Sequence, residues 1–135
     1  MIEALPLLVN ELNAPFHEAA ATGRLLMPFC MSSQRTFWPP SPLSPYYMRS
    51  EVTWRETSPL GTLVSRVIYR RCFQQEFEPF MPYAVGLVQL DAGPRLVAHL
   101  SDPDDPSSAR AGDRVHIRFA PLLENGPSVA LVHRS

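Results

Sequence analysis

Six of the fifteen prolines in this 135-residue chain fall between Pro28 and Pro59. Proline lacks a backbone N–H and fixes φ, so Pro28, Pro39, Pro40, Pro42, Pro45 and Pro59 argue against both a long helix and a central strand in that stretch. Phe37-Trp38 and Tyr46-Tyr47 are interleaved with them. Such a segment must be held by its side chains, by a metal or by a partner. It divides the chain into an N-terminal helical segment (1–27), a proline-rich segment (28–59) and a remainder (60–135) that reads as β-structure.

At roughly 100–200 residues per domain, 135 residues leave room for one main core with a small appendage. The 45% hydrophobic and 19% charged content, with a mean hydropathy of -0.08, is that of a folding chain. All 12 basic residues are Arg. Schiff-base chemistry, a P-loop lysine and a lysine general base are therefore excluded. A formal net charge of -1 gives no global attraction for nucleic acid. No apolar run approaches the ~18 residues of a membrane span, and Met1-Ile2-Glu3 lacks the basic start of a signal peptide. A cytoplasmic protein is expected, with Cys30 and Cys72 as reduced thiols.

Local patterns predict the elements. Asn13 before Ala14-Pro15 suits a helix start; Phe16, Ala19 and Ala20 form a narrow apolar face, and Gly23 suits the end. Gly61–Arg70 and Tyr83–Leu90 are rich in β-branched and aromatic residues. Asp91-Ala92-Gly93 turns the chain into Pro94–Leu100, and a polar loop runs from Ser101 to Ala111. Val115, Ile117 and Phe119 then alternate with Arg114, His116 and Arg118, the cleanest period-two signal in the chain. Glu124-Asn125-Gly126-Pro127 turns into Val129–His133. Five strands with hairpin spacings and one longer loop predict a mainly β protein built on a five-stranded OB-fold barrel.

The proline-rich segment carries the frame of a zinc ribbon without its ligands. A ribbon supplies two Cys-x-x-Cys knuckles to one tetrahedral ion. Cys30 and Ser33 occupy the frame of the first knuckle, Ser44 and Tyr47 that of the second. One thiolate does not make a zinc site, and Ser and Tyr are poor substitutes for Cys toward zinc. The expectation is a degenerate ribbon, with these four residues as vestigial metal positions and no metal or other resident cofactor.

A longer pattern runs through the chain: Gly23-Arg24-Leu25-Leu26, Cys30-x-x-Ser33, Pro39-Pro40, Ser44-Pro45-x-Tyr47, Trp54, Gly61-x-Leu63-Val64-Ser65, Pro82-Tyr83-Ala84-Val85-Gly86-Leu87-Val88-x-Leu90-Asp91-x-Gly93-x-Arg95-Leu96 and Gly112-Asp113-x-Val115. In order and spacing it resembles the zinc-ribbon-plus-OB-fold proteins that accompany thiolases and acyl-CoA hydratases, the domain-of-unknown-function-35 family. The resemblance covers about Phe16 to Phe119. It implies an N-terminal helix, a rubredoxin-like ribbon and an OB-fold barrel, in a noncatalytic subunit. That subunit would form a hetero-oligomer with a thiolase-fold or related acyl-CoA-processing enzyme, helping to assemble it or shape its acyl-CoA entrance.

Within that frame, Arg66, Arg70 and Arg71 either meet the phosphates of a CoA thioester at a shared site or end a solvated strand. Phe37, Trp38, Tyr46, Tyr47 and Trp54 either pack the ribbon or meet a partner, as do Phe77, Phe80 and Met81 in an apolar connection between strands. His17, His116 and His133 read as solvent-exposed, while His99 lies in a mostly apolar strand. No glycine-rich phosphate loop or nucleophile elbow is present. Two other readings are a free-standing OB module for single-stranded nucleic acid, which the charge opposes, and an acyl-CoA hydratase or thioesterase, which lacks an acid–base pair.

Overall fold

The computed structural model describes residues 11–69, 83–100, 104–121 and 128–135. Helix α1 (Ala14–Ala20) carries a proline in its first turn and buries Phe16, Ala19 and Ala20. Asn13 caps it through its backbone carbonyl, which accepts from Phe16 and His17, and not through its side chain. Gly23 follows the helix at φ 77°, a left-handed conformation that costs glycine little.

The proline-rich region forms a three-stranded antiparallel sheet in the order β2-β1-β3, from β1 (Leu26–Cys30), β2 (Arg35–Thr36) and β3 (Val52–Glu56). The middle strand contains Pro28, which corrects the expectation that proline excludes a central strand here. The alternation of an antiparallel ladder explains it. Leu25 and Met31 bond to the β3 side, whereas Pro28 and Cys30 direct their carbonyls to the other side, toward Phe37 and Gln34. The missing N–H of Pro28 therefore faces the edge where β2 has already ended at Thr36. Strand β1 also straddles the division expected at residues 27 and 28.

The remaining strands close a barrel in the order β4-β5-β6-β8-β7: β4 (Leu60–Tyr69), β5 (Tyr83–Leu90), β6 (Arg95–Leu100), β7 (Arg114–Pro121) and β8 (Ser128–Arg134). All pairings are antiparallel except β6 with β8, which meet in parallel at His99 and Leu131. This is the mixed five-stranded topology of an OB-like barrel. Inward positions alternate along β5 (Ala84, Val88, Leu90), β6 (Leu96, Ala98, Leu100) and β7 (Val115, Ile117). Strand β8 is buried from Val129 to Val132 without alternation; only Ala130 and Val132 belong to the barrel core.

The family-pattern residues are used to build this barrel. A Cβ on Gly61 would lie 2.5 Å from the Gln89 carbonyl oxygen, so only glycine admits the close β4–β5 approach. The register between these strands shifts between Leu63 and Ser65. Gly112, at φ 94°, donates to the Leu63 carbonyl, while Leu63 donates to that of Asp113. Arg114 grips Asp91 with two hydrogen bonds (2.8 and 2.6 Å) and tying Thr62 as well (3.1 Å), it joins β7 to β4 and to the β5–β6 turn.

One core spans the modules. Phe16 from α1, Leu25 just before β1 and Met27 of β1 belong to the same buried cluster as Leu63, Val88 and Val115. Phe16 is the junction: its ring lies 4.7 Å from Trp38 and 5.7 Å, edge-on, from Phe119 of β7.

Candidate functional site

Two places concentrate unusual chemistry: the old ribbon frame around Cys30 and the outer face of β4, β5 and β6. At the first, Cys30 ends β1 with no exposed surface. The turn that follows brings the Ser33 amide to its Sγ at 3.5 Å. In the second turn the Ser44 Oγ, 1% exposed, accepts from the amides of Tyr46 (3.0 Å) and Tyr47 (3.1 Å). Ser50 Oγ accepts from the Ser32 amide at 2.9 Å and donates to the Glu51 carbonyl at 3.0 Å.

The thiol is the meeting point of these turns. Burial alone would raise its pKa, but hydrogen bonding with Ser33, Ser44 and Ser50, the Ser33 amide included, outweighs that and brings it down to about 6. Of the expected vestigial positions, Cys30, Ser33 and Ser44 come together. Tyr47 contributes its amide while its ring is half exposed, and Ser50 stands in the cluster instead. A serine six residues beyond Ser44 falls outside the Cys-x-x-Cys frame, so the spacing gave no signal for it. Tested against zinc, one thiol and three hydroxyls do not fit: zinc sites are built from thiolate, imidazole and carboxylate. Among the described residues no group of three or more His, Cys, Asp or Glu side chains converges anywhere.

Around this cluster the aromatic residues separate. Phe37 is 3% exposed, so it packs the interior and is not available to a partner, a correction to its expected interface role. Trp38 and Trp54 are partly buried against the common core. Tyr46 remains exposed with the Arg35 guanidinium 3.9 Å above its ring, and Arg55 covers Phe29 at 4.0 Å. Leu43, Tyr47 and Met48 project from the same loop into solvent.

The outer face of the barrel is the second place. Register puts Val67, Val85 and His99 in one row across β4, β5 and β6, and Ser65, Leu87 and Val97 in the next. Val67 and Val97 are 49% and 61% exposed, and Val64 at the register shift is exposed beside them. Aliphatic side chains at this density on a sheet face mark a surface suited to being covered. It is unlike the aromatic and basic platform of a single-strand binder.

Arg66 is not on that face. It lies opposite Gly86, on the inward row of β4, and its guanidinium donates to Ser108 Oγ (3.3 Å) and the Ala109 carbonyl (3.1 Å). It therefore braces the barrel end beside a small pocket of about 100 Å³ lined by Ser107, Ser108, Ala109, Val132 and Arg134 among others. This engagement fixes one end of its guanidinium at the barrel end. Arg70, Arg71, Phe77, Phe80 and Met81 lie outside the described residues.

The histidines do not assemble a catalytic pair with Cys30. His17 lies on α1, where burial lowers its pKa. His116 and His133 stack across β7 and β8 at 5.7 Å. His133 is lowered by burial and by the neighbouring Arg118 and His116. His99 is half-buried, and burial lowers its pKa too.

A closed five-stranded barrel of OB type, with a short helix and a three-stranded sheet packed into its core, is the class of protein this chain represents. The model of the ChsH2 C-terminal OB-fold domain matches residues 54–120. Over 92 residues, 68% of this chain, it is 33% identical to a probable enoyl-CoA hydratase alpha subunit from Thermomonospora curvata. The chain spans 28% of that curated relative's length. A chain of the solved Ltp2-ChsH2(DUF35) aldolase superposes with a TM-score of 0.79 at 26% identity, covering 96% of this chain and 98% of that one. Residues 54–120 thus carry an OB-fold domain of the ChsH2 C-terminal type, and the superposition extends the likeness to a DUF35 chain along nearly the whole length. No helix among the described residues is long and apolar enough to cross a membrane.

Proposed function

We propose that this protein is a noncatalytic accessory subunit of a thiolase-fold, acyl-CoA-processing enzyme, which it helps to assemble and whose acyl-CoA entrance it helps to shape. The observation that carries the reading is the end-to-end likeness to a chain of an Ltp2-ChsH2(DUF35) aldolase, together with the relative named as a hydratase subunit. The use of its side chains agrees with this. The glycines, Asp91 and Arg114 serve the barrel, and the buried thiol has no histidine partner among the contacts of its cluster.

The partner-facing surface in this reading is the aliphatic outer face of β4, β5 and β6. Burying apolar area of this kind stabilises association by about 25 cal/mol per Å² before the costs of ordering are subtracted. An acyl-CoA thioester would be held at the joint between subunits, with its reacting groups supplied by the partner. The setting is the cytoplasm.

Co-expression with a thiolase-fold subunit tests the reading. A stable hetero-oligomer is the expected product, and Val97→Asp is expected to abolish co-purification while changing the stability of the isolated chain by less than about 0.5 kcal/mol, as exposed substitutions do. A monomer that ignores such enzymes and turns over acyl-CoA by itself would overturn it. Capture only by a hydratase-fold subunit would retain the accessory role and reject the thiolase-fold choice.

A further inference from the structure

We infer that the small sheet is held without a metal, by a cage of hydrogen bonds that closes its turns around the buried Cys30. The inference is independent of the identity of any partner enzyme.

A bound ion in a ribbon joins two turns that are distant in sequence. Here the same closure is made by hydrogen bonds. Ser33 follows β1 directly, Ser44 lies in the second turn and Ser50 immediately precedes the approach to β3. Each turn is also satisfied from within: the Ser33 amide donates to sulfur, the amides of Tyr46 and Tyr47 donate to Ser44, and the Ser32 amide donates to Ser50. Ser50 further donates to the Glu51 carbonyl, and the Glu51 carbonyl accepts the Met31 amide, which ties the cage to the β1–β3 ladder.

Burial makes this arrangement matter. Cys30 has no exposed surface and Ser44 only 1%. Polar groups at that depth are costly unless paired, and a fully paired network fixes one geometry. The ionic ligands of a metal site would repel one another without their ion. One sulfur beside three serines has no such conflict, because only one of the four groups can carry a charge and each hydroxyl can both donate and accept. The cluster is consequently a complete polar structure in its own right, and Ser50 in place of Tyr47 leaves the tyrosine ring outside.

The test uses the full chain. Metal analysis, thermal unfolding with and without a chelator or added zinc, and amide exchange are measured on the same preparation. Far less than one zinc per chain, a midpoint indifferent to chelator and zinc, and slow exchange of the Ser33, Tyr46 and Tyr47 amides in metal-free protein are expected. Stoichiometric zinc, a midpoint that falls on chelation, or unprotected exchange at these amides would overturn the inference. Comparing Ser50→Ala with Tyr47→Ala then tests the cage membership. Ser50→Ala should speed exchange of the Ser32 and Ser33 amides by roughly tenfold or more, as expected when a local clamp opens. Equal effects from both variants, or a larger effect from Tyr47→Ala, would contradict the assignment.

Discussion

The barrel and the small sheet solve the same problem with different materials. The barrel buries aliphatic side chains on alternating strand positions and closes on itself, so its edges disappear. The small sheet has three short strands and exposed edges. It gains order from hydrogen bonds that close its turns around Cys30, from arginines stacked over Tyr46 and Phe29, and from Leu25 and Met27 borrowed into the barrel core. The difference teaches that a module too small for a core can be stabilised either by specific polar closure or by attachment to a larger neighbour. This chain uses both.

The strongest way to break the contrast is to damage the shared core. Leu63 has no exposed surface and lies against Gly86, so Leu63→Ala is expected to cost about 2–5 kcal/mol. Chemical denaturation checks this, and because Phe16, Leu25 and Met27 join that core, probes in the small sheet should unfold in the same transition. Separate transitions would show that the two modules are energetically independent. A smaller loss is expected from Gly61→Ala. Its Cβ meets backbone at 2.5 Å, not a mobile side chain, and overpacking of this kind costs about 1–3 kcal/mol. Equilibrium unfolding measures it, and an unchanged midpoint would place the strands farther apart than the structure does.

Smallest is the effect of an exposed ion pair. Arg114 holds the Asp91 carboxyl below its usual range, chiefly through its hydrogen bonds. A depressed carboxylate pKa stabilises the fold above the unfolded-state value, and that contribution is lost as pH falls through the folded-state value. Arg114→Ala should therefore lower the thermal midpoint slightly at neutral pH, with the gap from the parent closing at acid pH. A gap constant across a pH titration would mean that packing by the Arg114 stem, not its charge, is responsible.

Much of the barrel is legible before any coordinates. Strand β5 spans Tyr83–Leu90 as its β-branched run predicts, the Asp91–Gly93 turn falls where expected, and β7 follows its alternation. Strand β8 also falls where its apolar run predicts, and it shows no alternation because it is buried from Val129 through Val132, with no polar face to mark its pleat. Strand β1 was hidden by Pro28, whose missing donor costs little only because β2 stops beside it. At the Cys30 cluster, the Cys-x-x-Cys frame led to Cys30, Ser33 and Ser44 but offered Tyr47 as the fourth member. Tyr47 joins through its amide while its ring stays half exposed, and Ser50, outside the frame, accepts the Ser32 amide of the first turn.

By itself, the sequence determined the five-strand pattern, the exclusion of lysine chemistry and the loss of the thiolate set, because these follow from residue identity and local period. Tertiary structure decided which side chains are available. Arg66 and Phe37 were plausible contacts on paper, yet the barrel holds one against Ser108 and Ala109 and the small sheet buries the other. Val67, Leu87 and Val97 are far apart in the chain and become one outer face only through the register of β4, β5 and β6. Such neighbours are set by long-range strand pairing, which no local period encodes.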